Sequence, residues 1–167
     1  MPSATARQLH LLRHLKSSWA DPALRDDQRP LTPRGKRAGR ALAAHFRDID
    51  LHVDLVLCSP ARRARDTWTA VRPGVRSDPE VRLVPGIYEA SATQLLAVVA
   101  DLDDTVASVL MIGHNPGVGE FAAQLDERAP GHGFPTGAFA SFSVTAPWAE
   151  VTRGSAHLDH AVRPRDL

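Results

Sequence analysis

Gln8-Leu9-His10-Leu11-Leu12-Arg13-His14 is a short, mostly apolar run that ends abruptly in two polar side chains. A run of that kind fits a buried strand that surfaces at one end of a sheet. Two further runs share its character. One is Val53-Asp54-Leu55-Val56-Leu57-Cys58; the other, Val106 to Ile112, is the most apolar stretch of the chain and is expected to be central.

Helical signals lie between these runs. Thr32-Pro33 sets a capping hydroxyl before a proline at the first helical position. Ala38, Ala41, Leu42, His45 and Phe46 then follow a helical spacing, predicting a helix to about Arg47. Ser59-Pro60 repeats the cap and proline, predicting a helix through Arg65, Thr69 and Val71 that stops at Pro73-Gly74. Val81 to Val84 reads as a third strand, and Ser91 as the cap of a helix bearing Leu95, Leu96, Val98, Val99 and Leu102. Beyond the turn Gly113–Gly117, a helix is expected over Val118–Leu125 and a strand over Phe139–Val144. Two edge strands should follow, at Glu150–Arg153 and His157–Val162. Trp19 to Thr32, rich in Asp, Pro and Arg without periodicity, reads as a loop.

Strands alternating with helices predict an α/β fold, a three-layer α/β/α sandwich around a mostly parallel central sheet, with residues 1–167 forming one domain. Basic and acidic residues, 20 against 19, nearly cancel. That balance speaks against a nucleic-acid binder, which usually shows a basic excess, and gives no reason to expect membrane attachment. Cys58 is the one cysteine, so no internal disulfide forms and a reducing compartment is expected. Met1 to Gln8 lacks the apolar core of a secretory signal, and no apolar run approaches the ~20 residues that span a bilayer. The expectation is a soluble, cytoplasmic protein of unknown oligomeric state.

Ligands of open α/β sheets gather outside the carboxyl ends of the strands. That rule selects Arg13-His14, Ser59 to Arg63, and His114. Arg13 and Arg63 offer planar forks for phosphate oxygens. His14 and His114 ionise near neutrality and can be nucleophilic or stabilising. Helix N-termini after Ser59-Pro60 and Asn115-Pro116 would direct N–H groups at an anion.

Leu11-Leu12-Arg13-His14 resembles the hallmark of the histidine phosphatase superfamily, whose fold is phosphoglycerate-mutase-like. Ser59-Pro60-Ala61-Arg62-Arg63-Ala64-Arg65-Asp66-Thr67 is similar to the family's S-x-x-x-R-A-x-x-T motif, a register that selects Arg63 over Arg62. Gly113-His114-Asn115-Pro116-Gly117 is similar to the motif of the second histidine. Arg13 to Trp19, Arg29-Pro30-Leu31-Thr32-Pro33-Arg34-Gly35 and the closing Arg163-Pro164-Arg165-Asp166-Leu167 resemble the small SixA-type branch, named for phosphohistidine phosphatases. Leu15 departs from the pattern, standing where a glycine usually follows the histidine.

The resemblance implies a metal-independent phosphatase without a cofactor. His14 would attack phosphorus and become phosphohistidine, while Arg13, Arg63 and His114 surround the phosphoryl group. Glu89 would be the proton donor, in the position where larger relatives carry an acid. Lys16 and Ser17, directly after the nucleophile, are candidates for substrate contact or for plain loop exposure. The 24 residues between Glu89 and His114 (90–113) suffice for one helix and one strand, so no large cap insertion is expected. An open site suits a phosphorylated protein, with a small phosphorylated metabolite as the other substrate class. The competing reading is a non-catalytic phosphate-binding module. Binding alone needs only the arginines, so both histidines and Glu89 argue against it.

Blander readings cover the remaining reactive residues. A cysteine phosphatase needs C-x5-R, but Ala64 is the sixth residue after Cys58. His157 and His160 would point to opposite faces of a strand, and no metal is expected there. His10, His45 and His52 read as structural or exposed.

Overall fold

Apolar side chains on alternate positions of the strands divide the core into two halves. Leu9 and Leu11 of β1 (Arg7–Arg13) face one side of the sheet, and Leu12 faces the other. The same alternation separates Leu55 and Leu57 from Val56 and Cys58 in β2 (Leu55–Cys58), and Val109 and Met111 from Leu110 and Ile112 in β4 (Ser108–Gly113). Helices must therefore cover both faces. The computed structural model describes residues 6–167, so most of the N-terminal segment considered above lies outside the described residues.

α1 (Pro33–Asp48) and α2 (Arg62–Val71) cover one face through Leu42, Phe46, Ala64 and Val71. α3 (Ala92–Ala100) and α4 (Gly117–Leu125) cover the other through Leu95, Val99, Val118 and Phe121. The result is the α/β/α sandwich expected from the sequence. The sheet has the order β3-β2-β4-β1-β5-β6, with β3 at Glu80–Leu83, β5 at Phe139–Val144 and β6 at Ala156–Val162. The first four strands in that order are parallel, and β5 and β6 run antiparallel at one edge. Val106–Ile112 was expected to be central, and β4 does lie between β2 and β1. No cap interrupts the chain between β3 and β4, where α3 is the one α-helix.

The caps at Thr32 and Ser91 form as read. Thr32 Oγ1 accepts from the Gly35 N–H at 2.9 Å, and Ser91 pairs with Gln94 in a capping box. Two expectations are corrected. Ser59 is not the N-cap: α2 begins at Arg62 behind Ala61, and the Ser59 hydroxyl accepts from the Ala61 N–H ahead of the helix while it faces His114. Glu150–Arg153 forms no strand; Trp148–Glu150 is a 3-10 turn whose buried indole donates to the Val106 carbonyl at 2.9 Å. Among the described residues, no helix is long and apolar enough to cross a membrane.

Candidate active site

The parallel register brings three strand ends together. Arg13 pairs with Gly113, and Cys58 with Ile112. The next residues extend these ladders: His14 N–H donates to the Gly113 carbonyl at 3.0 Å, and Ser59 N–H to that of Ile112 at 3.1 Å. His14, Ser59 and His114 therefore stand side by side, with the two imidazole centroids 5.1 Å apart. Arg63 joins them from the first turn of α2. Thr67, one turn further on, ties the two halves: its hydroxyl accepts from Leu15 N–H at 2.9 Å and donates to the Arg63 carbonyl at 2.6 Å.

Hydrogen bonding sets the state of each imidazole. His14 Nδ1 lies 2.7 Å from the Leu15 carbonyl, which can only accept. The ring proton is therefore on Nδ1, and Nε2 keeps its lone pair. Burial, reinforced by the charges of His114, Arg63 and Arg13, lowers the His14 pKa to about 3. Burial and the Arg63 charge likewise lower His114 to about 4. His114 Nε2 lies 2.7 Å from Ser59 Oγ, which already accepts from the Ala61 N–H at 3.2 Å. With the hydroxyl proton turned to Nε2, His114 presents Nδ1–H as a donor.

The arginines are held from behind. Arg13 NH1 donates to the Phe134 carbonyl at 3.2 Å, which also accepts from Asn115 Nδ2 at 2.7 Å. Arg63 donates through NH1 to the Asp26 carbonyl at 2.7 Å, and through NH2 to Asp26 Oδ2 at 3.0 Å. Asp26 also accepts from Tyr88 Oη at 2.6 Å and Arg29 Nε at 3.1 Å. Burial opposes its ionisation, but the hydrogen bonds from Tyr88, Arg63 and Arg29 prevail and lower its pKa to about 2. Among the described residues, four buried side-chain nitrogens lack a hydrogen-bond partner. Three are here: Arg13 Nε, Arg63 Nε and His114 Nδ1. An unmet buried donor is destabilising by about 1–3 kcal/mol, so the cluster is built to receive an acceptor.

Neither Asp26 nor Tyr88 is marked as a site residue by the sequence, and Arg29 is marked only as part of a motif. Asp26 sits in an aperiodic loop, 37 residues from its partner Arg63. The one available signal was Arg29 within the Arg29-to-Gly35 motif. The arrangement gathers Arg13, His14, Arg63 and His114, but not the other candidates. Glu89 is exposed at φ 55° beside Tyr88 and makes no side-chain hydrogen bond to the histidines or arginines of the cluster. Ser17 is buried, its hydroxyl accepting from Arg29 NH1 at 2.8 Å. Lys16 is exposed. Leu15 leaves the pocket free, because its side chain is buried against Gly39 and Gly137. Burial raises the Cys58 thiol to about 12, far from a thiolate nucleophile. No three His, Cys, Asp or Glu side chains among the described residues are grouped to hold a metal ion.

Comparison with known proteins places these features. A model of the histidine phosphatase superfamily (branch 1) matches residues 9–129. The phosphohistidine phosphatase SixA of Escherichia coli K12 is 30% identical over 139 residues, covering 82% of this chain and 85% of its own. An uncharacterised protein of Mycobacterium tuberculosis H37Rv is 32% identical over 157 residues, covering 88% of this chain and 96% of its own. Among solved structures, the protein histidine phosphatase SixA complexed with tungstate superposes with a TM-score of 0.80 at 27% identity, covering 95% of this chain and 98% of that one.

Proposed function

The chain belongs to the histidine phosphatase superfamily, and from that membership we propose that it is a metal-independent phosphatase that hydrolyses protein phosphohistidine through a phosphoryl group carried on His14. The observation that carries the reading is the trio of buried, unpartnered nitrogens beside His14: Arg13 Nε, Arg63 Nε and His114 Nδ1. Unpartnered N–H donors from two arginines and a histidine suit the equatorial oxygens of a phosphoryl group in transfer. A related SixA is known in complex with tungstate, a phosphate-like oxyanion, which supports that reading.

The steps follow from the atoms. His14 Nε2, unprotonated because Nδ1 holds the proton, attacks phosphorus in line. An N–P bond forms as the bond to the leaving nitrogen breaks, and that nitrogen keeps the electron pair. Water then attacks the phosphorylated His14, releasing phosphate and restoring the imidazole. The positive charge of two arginines supplies what a metal supplies in other phosphatases.

Proton supply favours the substrate class. Asp26 is held ionised by Arg63, Tyr88 and Arg29, so it offers no proton near neutrality. Glu89 is the remaining candidate donor, exposed at the rim. An imidazole, with a pKa near 6.5, departs with little help, whereas an alkoxide needs a proton. The open surroundings, without a cap between β3 and β4, suit a side chain presented by another protein. Turnover of a phosphohistidine peptide, a phosphoserine peptide, a sugar phosphate and an aryl phosphate, each with and without chelator, tests the proposal. Rapid phosphohistidine hydrolysis that survives chelation is expected; activity that needs an added divalent cation contradicts it.

A further inference from the structure

Two close approaches gather cations beside the nucleophile's loop. A Cβ on Gly35 would lie 2.3 Å from the Lys16 carbonyl oxygen, so only glycine lets the first turn of α1 rest there, with Arg34 beside Lys16. Gly137 has φ 75°, and a Cβ on it would meet Pro164 Cγ at 2.6 Å and Leu15 Cδ2 at 3.1 Å. The C-terminal turn, with Arg163 and Arg165, is thereby pressed against the same loop. The three segments enclose a groove of about 290 Å³ lined by Lys16, Arg34, Arg163 and Arg165, with no acidic side chain in the lining. Arg163 pairs with Asp166 at 2.9 Å. Lys16, Arg34 and Arg165 form no ion pair among the described residues.

A second observation sets this cluster apart from an ordinary solvated surface. Arg34 occupies the first turn of α1, which holds no acidic residue. The helix dipole disfavours cations at that end. In a chain whose charges otherwise balance, this local excess of positive charge is complementary to an anion. Lys16 follows His14 by two residues, so their Cα atoms are within ~7 Å. A molecule whose phosphoryl group lies at His14 is therefore within reach of the groove.

We propose that this groove docks an acidic segment of the phosphorylated protein, with Asp or Glu side chains a few positions from the residue whose phosphoryl group reaches His14. The proposal rests on the phosphoprotein reading above. Carboxylates of the partner meet Lys16, Arg34 and Arg165 at an exposed rim, so they act chiefly on encounter rate and specificity, and salt weakens them.

The test has two arms. In the first, a fluorescent, unphosphorylated peptide rich in Glu and Asp is titrated by anisotropy at low salt, against wild type and an Arg34→Glu/Arg165→Glu variant. In the second, kcat/KM is compared for phosphohistidine peptides with acidic or neutral flanks. Wild type should bind the acidic peptide and prefer the acidic substrate about tenfold. In the double variant both effects should vanish, and Arg34→Glu alone should raise the thermal midpoint, showing that the fold is intact. Binding that is absent in wild type or unchanged in the double variant overturns the groove, whatever the activity. Stronger displacement by short single-stranded DNA than by an acidic peptide of equal charge overturns the assignment to a protein partner. Peptide binding without hydrolysis of any phosphohistidine peptide leaves the groove standing and sinks the substrate reading instead.

Discussion

Arg63 and Asp26 are joined twice, NH1 to the Asp26 carbonyl at 2.7 Å and NH2 to its carboxylate at 3.0 Å, so that Nε is the one guanidinium nitrogen left without a partner. Both ends of the fork are fixed by one loop residue, and the plane of the guanidinium follows. A bidentate pair of this kind fixes orientation as well as adding energy.

Asp26→Asn keeps the shape but removes the charge that holds Arg63. We expect kcat to fall about tenfold, since a loosened positioning contact is worth ~1 kcal/mol or more. Inhibition by tungstate should tighten, because the pocket gains net positive charge. Steady-state kinetics with a tungstate titration check both. Tungstate binding that weakens in parallel with kcat contradicts the positioning role.

Ser59→Ala removes the hydroxyl that faces His114 Nε2. The imidazole then chooses its tautomer freely and presents Nδ1–H for part of the time. A loss of roughly 5–10-fold in kcat/KM follows from one hydrogen bond of ~1 kcal/mol. Nitrogen-15 NMR of the ring should show the tautomer shift in the variant. An unchanged tautomer and unchanged rate would remove Ser59 from the account.

Stability should depend on pH through three buried histidines. His10, His14 and His114 are lowered to about 4, 3 and 4, in each case first by burial. Below the ordinary value of 6.5 the unfolded chain binds protons that the folded chain refuses, so stability is full above pH 6.5 and falls as pH drops toward 4. The limiting slope is ~1.4 kcal/mol per pH unit for each histidine. Urea unfolding at pH 7 and pH 5 measures it, and His10→Gln should flatten it by about a third. Equal midpoints at the two pH values would contradict the burial argument.

Glu89→Gln separates a proton donor from a bystander. General-acid help is worth ~10²–10⁴-fold where a leaving group needs it. If Glu89 supplies it, the variant should lose far more rate on alkyl phosphates than on aryl phosphate or phosphohistidine. Equal losses on all three would assign Glu89 to shaping the loop at its positive φ.

Much of this site was legible because the strands announce their own ends. Arg13-His14 and His114 follow apolar runs directly, and the parallel register then brings them together. Thr32 and Ser91 were readable as caps because their partners lie three residues away. Ser59-Pro60 carries the same local signal, but its hydroxyl bonds the Ala61 N–H ahead of the helix and faces His114, 55 residues distant, so α2 starts later. Asp26 was invisible for the same reason, since nothing near it in sequence marks its bond to Arg63. Glu150–Arg153 failed as a strand because the burial of Trp148 outweighed local strand propensity.

The central claim is that His14 carries the phosphoryl group. Wild-type protein mixed with a phosphohistidine peptide or aryl phosphate, quenched in alkali within milliseconds, digested and read by mass spectrometry tests it directly. The account predicts phosphate on His14, stable in alkali and lost in acid, and neither adduct nor turnover in His14→Ala. Normal turnover in His14→Ala, or phosphate found on a different residue, would contradict it.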